Sequence, residues 1–77
     1  QFDDDFAIVK MYPPKHLRDV PLAESRIRSK YNLTVVGVKS PGGAFTYATP
    51  ETVVSAHDLV IISGNQADIE RFASLGS

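Results

Sequence analysis

The chain has no cysteine, no tryptophan, a single methionine and no long apolar run. Without cysteine, disulfides and thiolate metal sites are excluded. The two histidines, His16 and His57, are far apart and lack ligand-like spacing. A domain of 77 residues buries only about 60% of its unfolded surface. With neither staple available, oligomerisation is the expected supplement. No stretch approaches the ~20 apolar residues of a membrane span, and no signal-peptide pattern is present. An excess of one charge is missing as well. Eight basic and nine acidic residues leave a formal net charge of -1, so no general attraction to a nucleic acid polymer is expected.

What is present is an ordinary globular composition, 43% apolar and 22% charged. Three acids stand together at Asp3, Asp4 and Asp5, while five of the eight bases lie between Lys15 and Lys30. That asymmetry favours a local anion site over a polyanion-binding face. The start at Gln1 rather than methionine is what a piece of a longer protein would show. A soluble, cytoplasmic chain is expected.

Residues 1–5 read as a solvated, disordered leader, and residues 6–12 as an apolar strand stopped by Pro13-Pro14, which cannot continue a ladder. Residues 15–20 read as a loop anchored by Leu17 and Val20. Pro21 suits the first turn of a helix over residues 22–30, with Leu22, Ala23, Ile27 and Tyr31 on its apolar side. Glu24 in the first turn and Arg28 and Lys30 in the last suit the helix dipole. Asn32 is a natural left-handed terminator. Residues 33–39 form a β-branched strand, and Gly37 within it marks a bulge or a close approach of another backbone or ligand. Ser40-Pro41-Gly42-Gly43 is a turn, and residues 45–48 a short alternating strand. Thr49 to Thr52 opens a turn or one helical loop. Residues 59–62 form a buried strand ended by Ser63-Gly64. Asn65 caps a closing helix over residues 66–75, with Ile69, Phe72, Ala73 and Leu75 as its stripe. The order is β-α-β-β-β-α, an α+β domain with a sheet of about four strands and two helices. Helices so placed cover one sheet face and leave the other apolar, which argues for a dimer.

No catalytic constellation emerges, and no enzyme activity is expected. No serine stands in a glycine-flanked elbow with a base and an orienting acid. His57 and Asp58 are adjacent, so on a strand their side chains face opposite ways; a turn before the strand is the simpler reading. The glycine turn at residues 40–43 lacks the pattern and following helix of a phosphate loop. The informative group is Arg26, Arg28, Tyr31 and Asn32. Arginine grips phosphate with a planar fork, and an asparagine amide matches an adenine edge. On a continuous helix, residues two apart point about 200° apart. Arg26 and Arg28 are then expected to face different ways, one toward Glu24 or solvent. The bland alternative is a solvated helix face ending in a left-handed cap.

With these residues in hand, the chain resembles the RCK C-terminal, or TrkA-C, domain family over about residues 6–75. The resemblance rests on Pro21-Leu22-Ala23-Glu24-Ser25-Arg26-Ile27-Arg28 and Tyr31-Asn32-Leu33-Thr34-Val35-Val36-Gly37-Val38-Lys39. It continues through Thr49-Pro50-Glu51-Thr52-Val53-Val54, Asp58-Leu59-Val60-Ile61-Ile62-Ser63-Gly64 and Asp68-Ile69-Glu70-Arg71-Phe72. His57 stands where the family usually has glycine, and Asn32 where glycine is common. The resemblance implies a domain over residues 6–77 that regulates potassium channels, potassium transporters or cation/proton antiporters. It implies a homodimer, attachment to the membrane only through a membrane cation transporter or antiporter subunit, and in some members cyclic di-AMP between two protomers. Two phosphates and two adenines related by a two-fold would be met identically by two copies. By position, Arg26 and Asn32 correspond to ligand-contacting residues of such binders. Val20, Pro21 and Leu22 would supply walls and N–H groups, with Arg28, Tyr31 and Pro50 flanking. No cofactor beyond that ligand and no metal site is implied. The other readings are a dimerisation or docking module without a small ligand, and a divalent-cation sensor using Glu24, Asp58 or the run at Asp3 to Asp5.

Overall fold

The computed structural model describes residues 5–74. Strand β1 spans Phe6–Met11, β2 Thr34–Lys39, β3 Phe45–Tyr47 and β4 Leu59–Asn65, and they form one four-stranded antiparallel sheet in the order β1-β4-β2-β3. Between β1 and β2 lie a 3-10 turn at Lys15–Leu17 and two short helices, α1 at Leu22–Ser25 and α2 at Ile27–Tyr31; helix α3, Gln66–Ser74, closes the fold. The expected α+β class and strand count hold. The leader at residues 1–4 and the stripe position Leu75 lie outside the described residues. Asp5 lends its carbonyl to the first amide of α3, Gln66 N–H, at 2.7 Å.

Alternation along β1 turns Ala7, Val9 and Met11 toward the core and leaves Phe6, Ile8 and Lys10 exposed. The core face of β4 is carried by Val60 and Ile62, both fully buried. Against it pack Leu22 and Ile27 from the short helices and Ile69 and Phe72 from α3, with Leu17 and Val54 sealing the loops. The helices thus cover one face. On the other lie exposed Phe6, Ile8, Phe45 and Tyr47, aligned by the pairings of Gly37 with Tyr47 and Lys39 with Phe45.

Three expectations are corrected. The helix over residues 22–30 is interrupted: Arg26 adopts the left-handed conformation, φ 57 and ψ 30, and separates α1 from α2. Strand β4 does not stop at Ser63-Gly64 but pairs with β1 as far as Asn65 opposite Phe6. Gly64 is there for packing, since a Cβ on it would sit 2.5 Å from Leu33 Cδ2. Ala73 is exposed, so Ile69 and Phe72 alone carry the buried stripe of α3. Two expectations at single residues hold. Asn65 Oδ1 accepts Ala67 N–H at 2.9 Å as a cap, and the register shifts between Val35 and Gly37, the expected bulge.

Candidate functional site

A groove of about 450 Å³ opens where α1 and α2 meet the start of β2 and the loop after β3. Its volume lies within the range of small-molecule sites. The α1 side is pinned by backbone bonds: Leu22 N–H donates to Thr52 O at 2.9 Å and Ala23 N–H to Pro50 O at 3.0 Å. The loop is itself braced. Thr49 N–H donates to Thr52 Oγ1 at 2.9 Å, and Thr52 N–H returns to Thr49 O at 3.1 Å. Ala48 N–H reaches Val36 O at 3.1 Å, tying the loop to β2. A short bridge between Pro21 and Val53 completes the hinge.

Inside this frame Leu22, Ala23, Ile27, Val35, Ala48 and Pro50 are the apolar lining residues, Ser29, Thr34 and Thr49 the hydroxyl-bearing ones, and Arg26 and Arg28 the only charged ones among the described residues. Among the described residues no carboxylate lines the groove. Among the described residues neither Arg26 nor Arg28 forms an ion pair; Asp68 and Arg71 make one at 3.4 Å on α3. Both arginines are exposed, so their charge is available to an anion. The expectation that they face different ways assumed a continuous helix, which left-handed Arg26 interrupts. Arg26 and Arg28 both belong to the lining of the same cavity.

Left-handed backbone costs a residue with a Cβ about 1–2 kcal/mol, and a non-glycine residue held there marks a place that its surroundings over-determine. Here the surroundings are short. Ser25 Oγ donates to Leu22 O at 2.6 Å and accepts Ile27 N–H at 3.4 Å. Lys30 N–H donates to Arg26 O at 2.8 Å, so α2 starts on the residue that breaks α1.

Of the sequence-predicted site residues, Leu22, Arg26, Arg28 and Pro50 meet in the groove. Val20 and Pro21 precede α1 and do not line the groove; Pro21 takes the N-cap position rather than the first turn. Tyr31 leaves the groove and joins an aromatic cluster with His16, ring centroids 5.5 Å apart, and Phe72, 5.1 Å apart. The Arg71 guanidinium lies 5.9 Å from the Tyr31 ring centre. His16 contacts Phe72 edge-on at 5.0 Å. Burial against this cluster, and then the charge of Lys30, hold its pKa below the usual histidine value. Asn32 is left-handed as expected, φ 59 and ψ 37, and its N–H closes α2 on Arg28 O at 3.0 Å. It does not line the groove. Sequence reasoning missed Ala23, Ile27 and Ser29 on the helices, and Thr34, Val35, Ala48 and Thr49. The last four are brought in by the β2 edge beyond the end of β3, a placement set by pairing and carried by no local motif.

The carboxylates offered for a cation sensor do not converge. Asp58 is buried, and its Oδ2 accepts Ser55 N–H at 2.9 Å across a turn. Among the described residues no three His, Cys, Asp or Glu side chains come together. Asp3 and Asp4 lie outside them.

Comparison with known proteins adds the following. The TrkA-C domain model matches residues 6–75. The Ktr system potassium uptake protein A of Bacillus subtilis (strain 168) is 27% identical over 73 residues, covering 95% of this chain but 33% of that protein. The chain thus spans about a third of that curated relative. Among solved structures, the RCK C domain of the potassium transport protein KtrA in complex with cyclic diadenosine monophosphate superposes with a TM-score of 0.80 at 22% identity, covering 94% of this chain and 85% of that one. The GsuK RCK domain superposes with a TM-score of 0.78 at 19% identity, covering 92% of this chain and 16% of that one. The GsuK channel bound to NAD gives the same score and identity over 13% of its own length. These structural likenesses are likenesses of fold. Among the described residues no helix is long and apolar enough to cross a membrane.

Proposed function

We propose, since this chain belongs to the TrkA-C domain family, that it is a regulatory ligand-binding domain of a potassium or cation/proton transport system. It takes cyclic di-AMP in the Arg26–Arg28 groove of each of two protomers and conveys occupancy to a membrane transporter subunit. The observation that carries this reading is a groove lined by two arginines and by apolar residues, with no ion pair to either arginine and no carboxylate among the described residues. A phosphodiester needs charge and hydrogen-bond donors, and a purine needs a flat apolar wall such as Pro50 with Ala48. The KtrA neighbour's ligand, cyclic diadenosine monophosphate, has both. One protomer would hold one phosphate and one adenine, and a two-fold partner the other half. Val20, Pro21, Tyr31 and Asn32 do not line the groove of one protomer; in this reading a ligand meets them only by reaching beyond it.

Regulation then requires only that the ligand bind one arrangement of the two protomers better than another, since differential affinity is all that shifts such an equilibrium. Titration calorimetry with cyclic di-AMP should give one ligand per two chains, with cyclic di-GMP and ATP as controls. Arg26→Ala should weaken binding at least tenfold, about 1.4 kcal/mol, the scale of a charged hydrogen bond lost. Unchanged affinity in that variant would remove Arg26 from the site. A second reading, a dimerisation module without a small ligand, draws support from the outer sheet face, where Ile8 is 63% and Tyr47 78% exposed. Dimers that take up no nucleotide would establish it instead.

A further inference from the structure

One charged residue of the groove, Arg26, sits on a backbone irregularity and the other, Arg28, follows it; one hydroxyl spans that irregularity. Ser25 is the last residue of α1. Its Oγ donates back to Leu22 O at 2.6 Å and accepts forward from Ile27 N–H at 3.4 Å, so it bonds to the helix before the break and to the helix after it. Between those two anchors Arg26 sits at φ 57. A serine oxygen that bonds locally competes with regular helix, which is how it can favour a break over continuation. Continuing the helix through Arg26 would turn the Arg26 and Arg28 side chains about 200° apart and take one of them off the groove. With the break, both residues line it.

We propose that Ser25 is a positioning residue: its hydroxyl holds Arg26 left-handed, and that backbone state converges the Arg26 and Arg28 guanidinium groups on one phosphate-bearing ligand. Ser25 itself does not line the groove; it acts through Arg26. The nearby Ser29 hydroxyl, 3.4 Å from Arg26 O, bonds only on the α2 side and cannot span the break. The inference rests on reading the groove as a phosphate site, but not on which phosphate compound fills it.

The test is NMR of the 77-residue chain and of Ser25→Ala and Ser25→Thr. The three-bond HN–Hα coupling and Cα shift of Arg26 report its backbone state, and the Arg26 and Arg28 Nε–Hε signals report the groove. Inorganic pyrophosphate is the probe. In the unaltered chain Arg26 should show the left-handed signature, and both arginine signals should follow one saturation curve. Ser25→Ala should lose that signature, separate the two curves and weaken pyrophosphate binding about tenfold. Ser25→Thr, which keeps the hydroxyl, should restore all three. An Ser25→Ala chain with left-handed Arg26 and a shared curve overturns the role of the hydroxyl. Arginine signals that never share a curve in the unaltered chain overturn the convergence. Cyclic di-AMP titrated in parallel judges the ligand separately: if pyrophosphate moves both arginines and cyclic di-AMP does not, the positioning role stands and the identity of the ligand falls.

Discussion

At the scale of single residues, two positions fix local geometry and chemistry in ways that measurement can separate. Gly37 lies in β2 beneath the Phe45 ring of the neighbouring strand; a Cβ there would collide with that ring and come within 2.6 Å of Thr46 O. The backbone oxygen cannot swing aside as a side chain could, so Gly37→Ala should cost about 1–3 kcal/mol, read as a lowered urea midpoint with an unchanged slope. A midpoint equal to that of the parent chain would mean that β3 is free to move away. His16 is the residue to follow with pH. His16 is exposed, yet partial desolvation where it meets Tyr31 and Phe72, then the charge of Lys30, lower its pKa in the folded chain from 6.5. The unfolded chain therefore binds that proton more readily, and protonation favours unfolding. The stability His16 contributes is present above its unfolded pKa and is lost as pH falls through the lowered folded value. Urea midpoints should drop between pH 7.5 and 5.5 in the parent and drop less in His16→Gln; equal drops would show that the histidine is not linked to folding.

At the scale of elements, the helical connection between β1 and β2 separates what sequence makes legible from what it does not. Apolar spacing at Leu22 and Ile27 identified the buried side, Asn32 identified the end, and Asn65 identified the next beginning, because each of those signals is carried by the residue that does the work. The break at Arg26 carried no such signal. Glycine or asparagine is the usual mark of left-handed backbone, and an arginine in a run of helix formers reads as continuing helix. The consequence was large for the site: helical spacing sent Arg26 and Arg28 apart, whereas the folded chain brings them to one groove. Gly64 misled in the opposite direction. It looked like a strand terminator, yet β4 runs through it because Leu33 needs the space its side chain would take. Thr34, Val35, Ala48 and Thr49 were illegible for another reason. They reach the groove through pairing of β2 with β3 and β4, which is a relation between distant segments that no local pattern encodes.

At the scale of the whole molecule, the small core and the proposed two-fold ligand make one linked problem. A chain this short buries a modest apolar core, and one sheet face still exposes Phe6, Ile8, Phe45 and Tyr47. Any ligand that binds only the folded, paired state adds its binding free energy to stability, about 2.7 kcal/mol at a hundred times its dissociation constant. For a domain of 60–100 residues each kcal/mol moves the melting temperature by about 4–8 °C. One ligand serves two chains, so about half of this falls to each; saturating cyclic di-AMP should raise Tm by about 5–10 °C, and the shift should grow with protein concentration as pairing becomes more complete. Arg26→Ala should melt close to the unliganded parent yet show little of that shift, since its side chain is exposed and stands against no acid. Sedimentation velocity on the same samples should show the ligand driving monomer to dimer. A ligand shift that is full-sized in Arg26→Ala would take the guanidinium out of the binding energy. A shift independent of protein concentration, with no change in mass, would put the whole ligand on one protomer and remove the two-fold from the mechanism.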